Sequence, residues 1–515
     1  PLEASVVAKK KANPKKKKAT SSLGQHKRIG KTLVPPLLTV PNLSRQSWAD
    51  DRLPEMLWAC LVISVLPRPE ALDVFREIAS LGFKYRTFQG IGDWTLGHSQ
   101  LPSLPKEVFE RIVSITTRHP LGYAALRPLL LLDSLPGREQ WAQALATDAL
   151  QEDWQTLARA VLATLPHQSQ EATDVRWLSL LFRMALGVLY FPVQMKHLVE
   201  EIVEYPTKGD LRAVRPFIRA AEMSFSMQAG SKSTWSNDFW SECLDKTDCV
   251  LASPPAQPRP AYDRAATVKR ITEVYAALQD HWFATLATTA VDPRHDTAFG
   301  FGFYALAIIL EMMSGLNAYG IAGRTLLRAL SECRITLAYL RTKDSDELWR
   351  KYREYGTGQA KLALLKLDEL TSHKPGFVSQ EVLETLSNDD FFQEYVKIEM
   401  GHWCGLDLRK MAEASGTKSD YDAVYGWASA YIHGHWSALR DACMTHCLNP
   451  LHRVHRVPMP GRRVLEDTLA DGIRLANSVL EDVGNLYPDF PARIALVAKG
   501  ESPPETGENK PNAPG

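Results

Sequence analysis

An all-α fold is what this sequence predicts, and three observations predict it. Apolar residues recur every three or four positions in segment after segment, and strictly alternating stretches are scarce. Breaks rich in Gly, Pro and Ser separate the periodic segments, as in LPSLP at 101–105 and SLPGRE at 134–139. At 515 residues the chain exceeds what one hydrophobic core serves, so two helical domains are expected. The expected division is a disordered basic tail over 1–40, an N-terminal helical domain over 41–251, a Pro-rich linker over 252–262, a C-terminal helical domain over 263–497, and a disordered tail over 498–515.

The tail is set apart by charge. Residues 1–34 hold ten Lys/Arg against Glu3 alone, a balance of +9 that leaves the rest of the chain at −8. Lys15, Lys16, Lys17 and Lys18 end a run with almost nothing apolar to bury, and such a run binds RNA or another polyanion by releasing counterions. GKT at Gly30 is no phosphate loop, because the upstream glycine is misplaced and no strand precedes it. An apolar fraction of 45% and a charged fraction of 23% describe a soluble globular chain. Seven cysteines without framework spacing fit reduced thiols. The longest apolar run, 298–310, stops at Glu311, so no membrane span and a cytoplasmic location are expected.

In chain order, Ser47 caps a first helix in which Leu53, Met56, Leu57, Cys60 and Leu61 fall at helical intervals. Further helices are expected at 69–81, 105–117, 121–132, 138–149, 153–165, 176–191 and 195–204, as a bundle or loosely repeating array. Trp154, Trp177 and Tyr190 read as packing residues. This half is the expected surface for a protein partner, and an oligomer is compatible with it. Four prolines in ASPPAQPRPAYD at 252–263 stop any helix from crossing. Beyond them come a helix over 263–287, a turn and cap at DPRHD (292–296), and an apolar helix over 298–314. In the next helix Leu326, Leu330, Cys333, Leu337 and Leu340 form a core stripe. Arg324, Arg328 and Glu332, each four apart, lie opposite, and periodicity favours a solvated face with an Arg328–Glu332 pair over a row that faces the histidine-bearing helix. Trp349, Tyr352, Tyr355 and Gln359 continue an aromatic edge. A last amphipathic helix is expected over 463–486, with Leu465, Leu469, Ile473, Ala476 and Val479 as its stripe.

Three separated segments match one family in order. They are Gly323-Arg324-Thr325-Leu326-Leu327-Arg328 with Glu332, then Trp349-x-x-Tyr352-x-x-Tyr355-Gly356-x-Gly358-Gln359, then Tyr425-x3-Ser429-x3-His433-Gly434. Together they resemble the bacterial domain-of-unknown-function family 5677 over roughly 268–483. The resemblance implies a helical fold and, since some members sit among anti-phage defence genes, a defence context, but it supplies no activity. Carried over by position, it points to Arg324, Arg328, Glu332, Ser429 and His433.

The densest chemistry lies at 421–455, which holds five of the 14 histidines and two of the seven cysteines. On an unbroken helix Tyr425, Ser429, His433, Trp436 and Arg440 share one broad face. Three readings follow. In the first, Arg440-Asp441-x4-His446 matches the Arg-x4–6-His pattern of HEPN-type helical ribonucleases, which cleave RNA without a metal. His433 and Arg440 are then the first choice, because six residues of unbroken helix turn His446 away from Arg440; His446 joins only if the helix opens before Pro450 or a dimer brings two copies together. In the second, zinc is held by Cys443, Cys447, His452 and His455, although no metal or other cofactor is the primary expectation. In the third, Ser429 and His433 fix helix register without catalysis. The basic loop at 452–463 suits phosphate beside the signature stretch.

Two functions are therefore expected: a HEPN-like endoribonuclease of a defence or toxin system, or a non-catalytic helical interaction or sensor module. The first places His433 in a cleft with Arg324 or Arg328, and the second buries it fully bonded. No dinucleotide fingerprint, kinase set or hydrolase elbow is visible, which disfavours nucleotide-dependent chemistry.

Overall fold

The computed structural model describes residues 23–39, 47–86, 94–189, 191, 196–226, 235–253, 256, 260–370, 374–389, 392–461 and 463–499. Helices dominate, and among the described residues the only strands are three residues long. The chain forms two compact units, Pro1–Val250 with Cys447–His455, and Leu251–His446 with Arg456–Gly515. The expected boundary near 251 is thus crossed twice more. A nine-residue excursion inside the signature stretch belongs to the first unit, which no local pattern announces.

The first unit grows from the capped start. The Ser47 hydroxyl accepts from the Asp50 backbone N–H, and the chain passes through a π-helical turn, Trp48–Arg52, before Leu53–Glu55 and Leu57–Val65. Leu53, Met56, Leu57, Cys60 and Leu61 are all buried as their spacing requires. The helices Arg68–Lys84, Lys106–Thr117, Asp153–Thr164, Gln170–Leu186 and Lys196–Val203 fall close to the expected positions. Over 121–132 the chain makes only Gly122–Leu126 and a 3₁₀ turn, Arg127–Leu131, because Pro128 cannot donate within an α-helix. Trp177 is fully buried, its indole N–H donating to the Ile202 carbonyl at 2.7 Å, and Trp154 packs at the core margin. Tyr190 and Lys15 to Lys18 lie outside the described residues. The segment expected to be disordered up to residue 40 includes a hairpin, Lys27–Ile29 (β1) against Thr32–Val34 (β2), and a 3₁₀ turn at Pro36–Thr39. Gly30 turns it with φ +59°, the left-handed geometry that a two-residue loop demands.

The second unit is organised around the helix Ile321–Lys343 (α1). It packs on Pro293–Met313, on Leu408–Ala414, on Gly426–Ile432 (α2) and on the last helix, Leu469–Leu486 (α4), the helix Trp436–Cys443 between them being α3. Leu330, Cys333, Leu337 and Leu340 are buried as a stripe, with Leu326 partly buried beside them. DPRHD is the expected cap: the Asp292 carboxylate accepts from the backbone N–H groups of Arg294 and His295. That cap extends the apolar helix to 21 residues, long and apolar enough to cross a membrane, yet 56% of its most apolar window is buried inside the unit. It is a core helix of this unit. The last helix begins at Leu469 rather than 463, because the backbone N–H groups of Leu465 and Thr468 are spent on the carbonyls of Tyr319 and Ala318. Of the Pro-rich stretch, Ala252, Ser253, Ala256 and 260–262 are described. Its end is pinned, since Tyr262 bridges Ala498 and the Asp263 N–H donates to the Val497 carbonyl at 2.7 Å.

An ionic network ties α1 to α4. Asp482 on α4 is 2% exposed and accepts from Arg334 and Arg341, while Asp420 accepts from Arg474 at 2.7 Å and lies near Arg334. Burial pushes the Asp482 carboxyl above the usual carboxylate range, and the two guanidiniums pull the other way. Asp420 immediately precedes the signature stretch, so this network fixes where that stretch begins.

Candidate functional site

The signature stretch is not one helix. A π-helical turn, Tyr421–Tyr425, leads into α2, which ends at His433; Gly434 then takes φ +57° and α3 begins at Trp436. A side chain with a β-carbon rarely adopts that backbone, so the glycine permits the break. The break is closed by backbone bonds from His433 N–H to the Ser429 carbonyl at 3.2 Å and from His435 N–H to the Ala430 carbonyl at 2.9 Å. The helical register assumed for His433 and Arg440 is lost there. His433 is exposed and does not line the cavity described below, matching neither expectation for it. It stacks on His435, ring centroids 5.8 Å apart.

The row on α1 meets α2, so it faces the signature stretch rather than forming the solvated face that periodicity favoured, while the expected Arg328–Glu332 pair is present. Arg328 donates from Nε to the Ser429 hydroxyl at 3.0 Å and from Nη2 to the Tyr425 hydroxyl at 2.8 Å, and pairs with Glu332 at 2.9 Å. Its guanidinium also lies over the Tyr425 ring, 4.6 Å from the centroid. Burial raises the Glu332 carboxyl above its ordinary value, with Arg328 opposing. Arg328, Ser429 and Glu332 are thereby engaged with one another. Arg324, one turn earlier, lies over the Tyr431 ring at 5.2 Å and faces open space.

That space is a cavity of about 1220 Å3 in the second unit. Arg324, Tyr431, His435, Arg440, His446, Arg456 and Arg463 line it, with Asp441, Glu466, Asp467 and Asp471 at its borders and Trp427 on its wall. Two short strands place the histidine. The α3 helix stops at Cys443, and Met444–His446 (β3) pairs antiparallel with Arg456–Pro458 (β4), setting His446 directly opposite Arg456. Arg456 Nη1 donates to His446 Nε2, which leaves the imidazole proton on Nδ1. Burial lowers the His446 pKa below its ordinary value, and Arg456 and Arg440 lower it further. The helix therefore opens before Pro450, one of the two conditions under which His446 was expected to join Arg440. The Arg440 guanidinium makes no hydrogen bond or ion pair among the described residues and lines the cavity. Tyr431 donates to Asp441 at 2.6 Å, and Arg463 lies 3.5 Å from the same carboxylate. Arg456 and Arg463 belong to the basic loop singled out in the sequence; His435 carried no signal beyond its neighbours.

The cysteines and histidines group differently from the expected quartet. Cys443 is exposed in the second unit, whereas Cys447, His452 and His455 lie in the first unit with Cys249. Gly358, of the second family segment, serves packing: a β-carbon there would sit 2.5 Å from the Lys397 carbonyl oxygen. Gln359 Nε2 donates to the Glu399 carbonyl at 3.0 Å from the same face.

Residues 304–446 match the model of a family of unknown function, DUF5677, a narrower span than the resemblance suggested. It contains α1, the break at Gly434 and the strand of His446, and it stops short of Arg456. No curated protein and no solved structure matches the chain.

Proposed function

We propose that the cavity carries metal-independent cleavage of RNA, a HEPN-like endoribonuclease chemistry. The observation that carries it is His446, bonded by Arg456 and held below its ordinary pKa, on the wall of a cavity that also holds Arg440 and His435. Cleaving a phosphodiester without a metal takes a base for the 2′-hydroxyl, an acid for the 5′-oxygen and fixed positive charge for the phosphate. An incoming phosphate draws Arg456 away from His446 Nε2, and the freed lone pair accepts the 2′-hydroxyl proton. The 2′-oxygen attacks phosphorus and the bond to the 5′-oxygen breaks as His435 protonates it. The products are a 2′,3′-cyclic phosphate and a 5′-hydroxyl. Arg440, Arg456, Arg324 and Arg463 hold the phosphate charge, and Trp427, 77% exposed, offers a face for base stacking.

The test is cleavage of total cellular RNA by the purified protein, with and without EDTA. Cleavage is expected to survive EDTA and to fall on the order of 10²-fold or more in His446→Ala and Arg440→Ala. His433→Ala should stay within a few-fold of the parent. The rate should drop as pH falls through the depressed His446 value, below 6.5. Loss in His433→Ala with His446→Ala active, or loss on chelation, would overturn the assignment. A folded protein that binds RNA without cutting it would leave the cavity as an interaction site.

A further inference from the structure

We propose that the first unit contains a structural zinc site made by Cys249, Cys447, His452 and His455. The four ligand atoms lie within 4.8 Å of one another. Cys249 Sγ is 3.4 Å from His452 Nδ1 and 3.4 Å from His455 Nε2, and Cys447 Sγ is 3.4 Å from His452 Nδ1. Bond lengths of about 2.3 Å to sulfur and 2.0–2.1 Å to nitrogen imply a tetrahedron whose sulfur-to-nitrogen edge is about 3.6 Å. The three sulfur-to-nitrogen separations of 3.4 Å lie close to that edge.

The surroundings prepare each ligand. His452 Nε2 is 3.1 Å from the Thr247 carbonyl, which can only accept, so the ring proton sits on Nε2 and the bare Nδ1 faces both sulfurs. The Asn449 backbone N–H points at Cys447 Sγ from 3.4 Å, the kind of bond that supports a thiolate. Cys447 N–H donates to the His455 carbonyl at 2.9 Å and His455 N–H to the His452 carbonyl at 2.9 Å, which folds the excursion into a closed loop. Leu448 N–H to the Val250 carbonyl at 2.8 Å and Asn449 Nδ2 to the Asp248 carbonyl at 2.9 Å hold that loop on the segment carrying Cys249. Cys447 and His452 are buried. Two thiolates and two neutral imidazoles neutralise a divalent ion, and a tetrahedral S2N2 set selects zinc. Four protein ligands leave no position for substrate, so the role is structural. Cys249 and His452 are 203 positions apart, and the ion would close that chain loop where the chain leaves and re-enters the first unit.

The site is independent of the cavity in the second unit, and its test reads metal rather than cleavage. Full-length protein purified under reducing conditions is analysed for zinc by mass spectrometry, then stripped and titrated with Co2+. The expected results are one zinc per chain and cobalt spectra with tetrahedral d–d and thiolate charge-transfer bands. Cys249→Ser should weaken binding at least tenfold, and Cys443→Ser should leave it unchanged. His455→Gln, at a half-buried ligand, serves as a second variant whose helicity is checked by circular dichroism, and it too should weaken binding at least tenfold. Protein that holds no zinc and shows no tetrahedral cobalt bands would overturn the proposal. So would a Cys249–Cys447 disulfide in place of metal, or loss of metal in Cys443→Ser but not in Cys249→Ser.

Discussion

Arg324 and Arg328 sit one helical turn apart on α1 and have different duties. Arg328 is tied to Ser429, Tyr425 and Glu332, whereas Arg324 leans on the Tyr431 ring beside the cavity. Hydrogen bonds from a charged donor contribute about 1.5–3 kcal/mol, and removing one strands its acceptors. Arg328→Leu is therefore expected to lower stability by about 2 kcal/mol in urea unfolding, with the loss falling on the packing of α2 against α1. Arg324→Leu should change stability by less than about 0.5 kcal/mol and weaken RNA binding instead. Equal stability losses in the two variants would show that this division of roles is mistaken. Periodicity placed both arginines on one row and offered solvent or the histidine-bearing helix as what it faces, but could not choose the helix. That depends on residues 97 and 101 positions away, Tyr425 and Ser429.

The break between α2 and α3 is the structural event that makes the site. It takes His433 off the shared face, brings His435 to the cavity, and lets the chain run from α3 into β3 so that His446 meets Arg456. Glycine is needed at the break because the backbone there has φ +57°. Gly434→Ala should cost about 1 kcal/mol or more, the penalty of a β-carbon in a left-handed conformation. It should also reduce cleavage by more than the stability loss explains, since His435 would be re-aimed. An alanine variant with full activity and unchanged unfolding would mean that the break does not position the site. The Gly434 signal was present in the sequence, next to His433, yet a helical wheel drawn through it hides a break of this kind. The caps were easier: Ser47, Asp263 and Asp292 all accept backbone N–H groups at the helix starts where local pattern put them.

In the first unit, His98 is one group through which acid should lower stability. His98 is wholly buried against Trp58, Trp141 and Trp235, accepts from the Trp58 backbone N–H at 3.3 Å, and has its pKa pushed down to about 3 by desolvation. In the unfolded chain the same imidazole titrates near 6.5. Below that value the unfolded state binds a proton that the folded state refuses. The stabilisation is therefore complete above pH 6.5 and is lost at about 1.4 kcal/mol per pH unit as pH falls toward 3. Thermal unfolding of the parent from pH 7 to pH 4.5 should show that slope, and His98→Gln should flatten it. A slope unaltered by the substitution would place the acid sensitivity elsewhere.

Most helices of both units, their caps and their buried stripes are legible in the order of residues. Each follows from a period of 3.6 and from capping groups within a turn of where they act. The meetings of charged and ligating groups are not legible in that way. Arg328 finds Ser429, Arg334 finds Asp482, Cys249 finds His452, and each pair is brought together by chain crossings over 100 residues or more. Local periodicity decides which face of a helix is apolar, because burial rewards any apolar neighbour alike. It cannot decide which polar group stands opposite another, because hydrogen bonds and metal ligands need one partner at one distance, and only the packed fold supplies both.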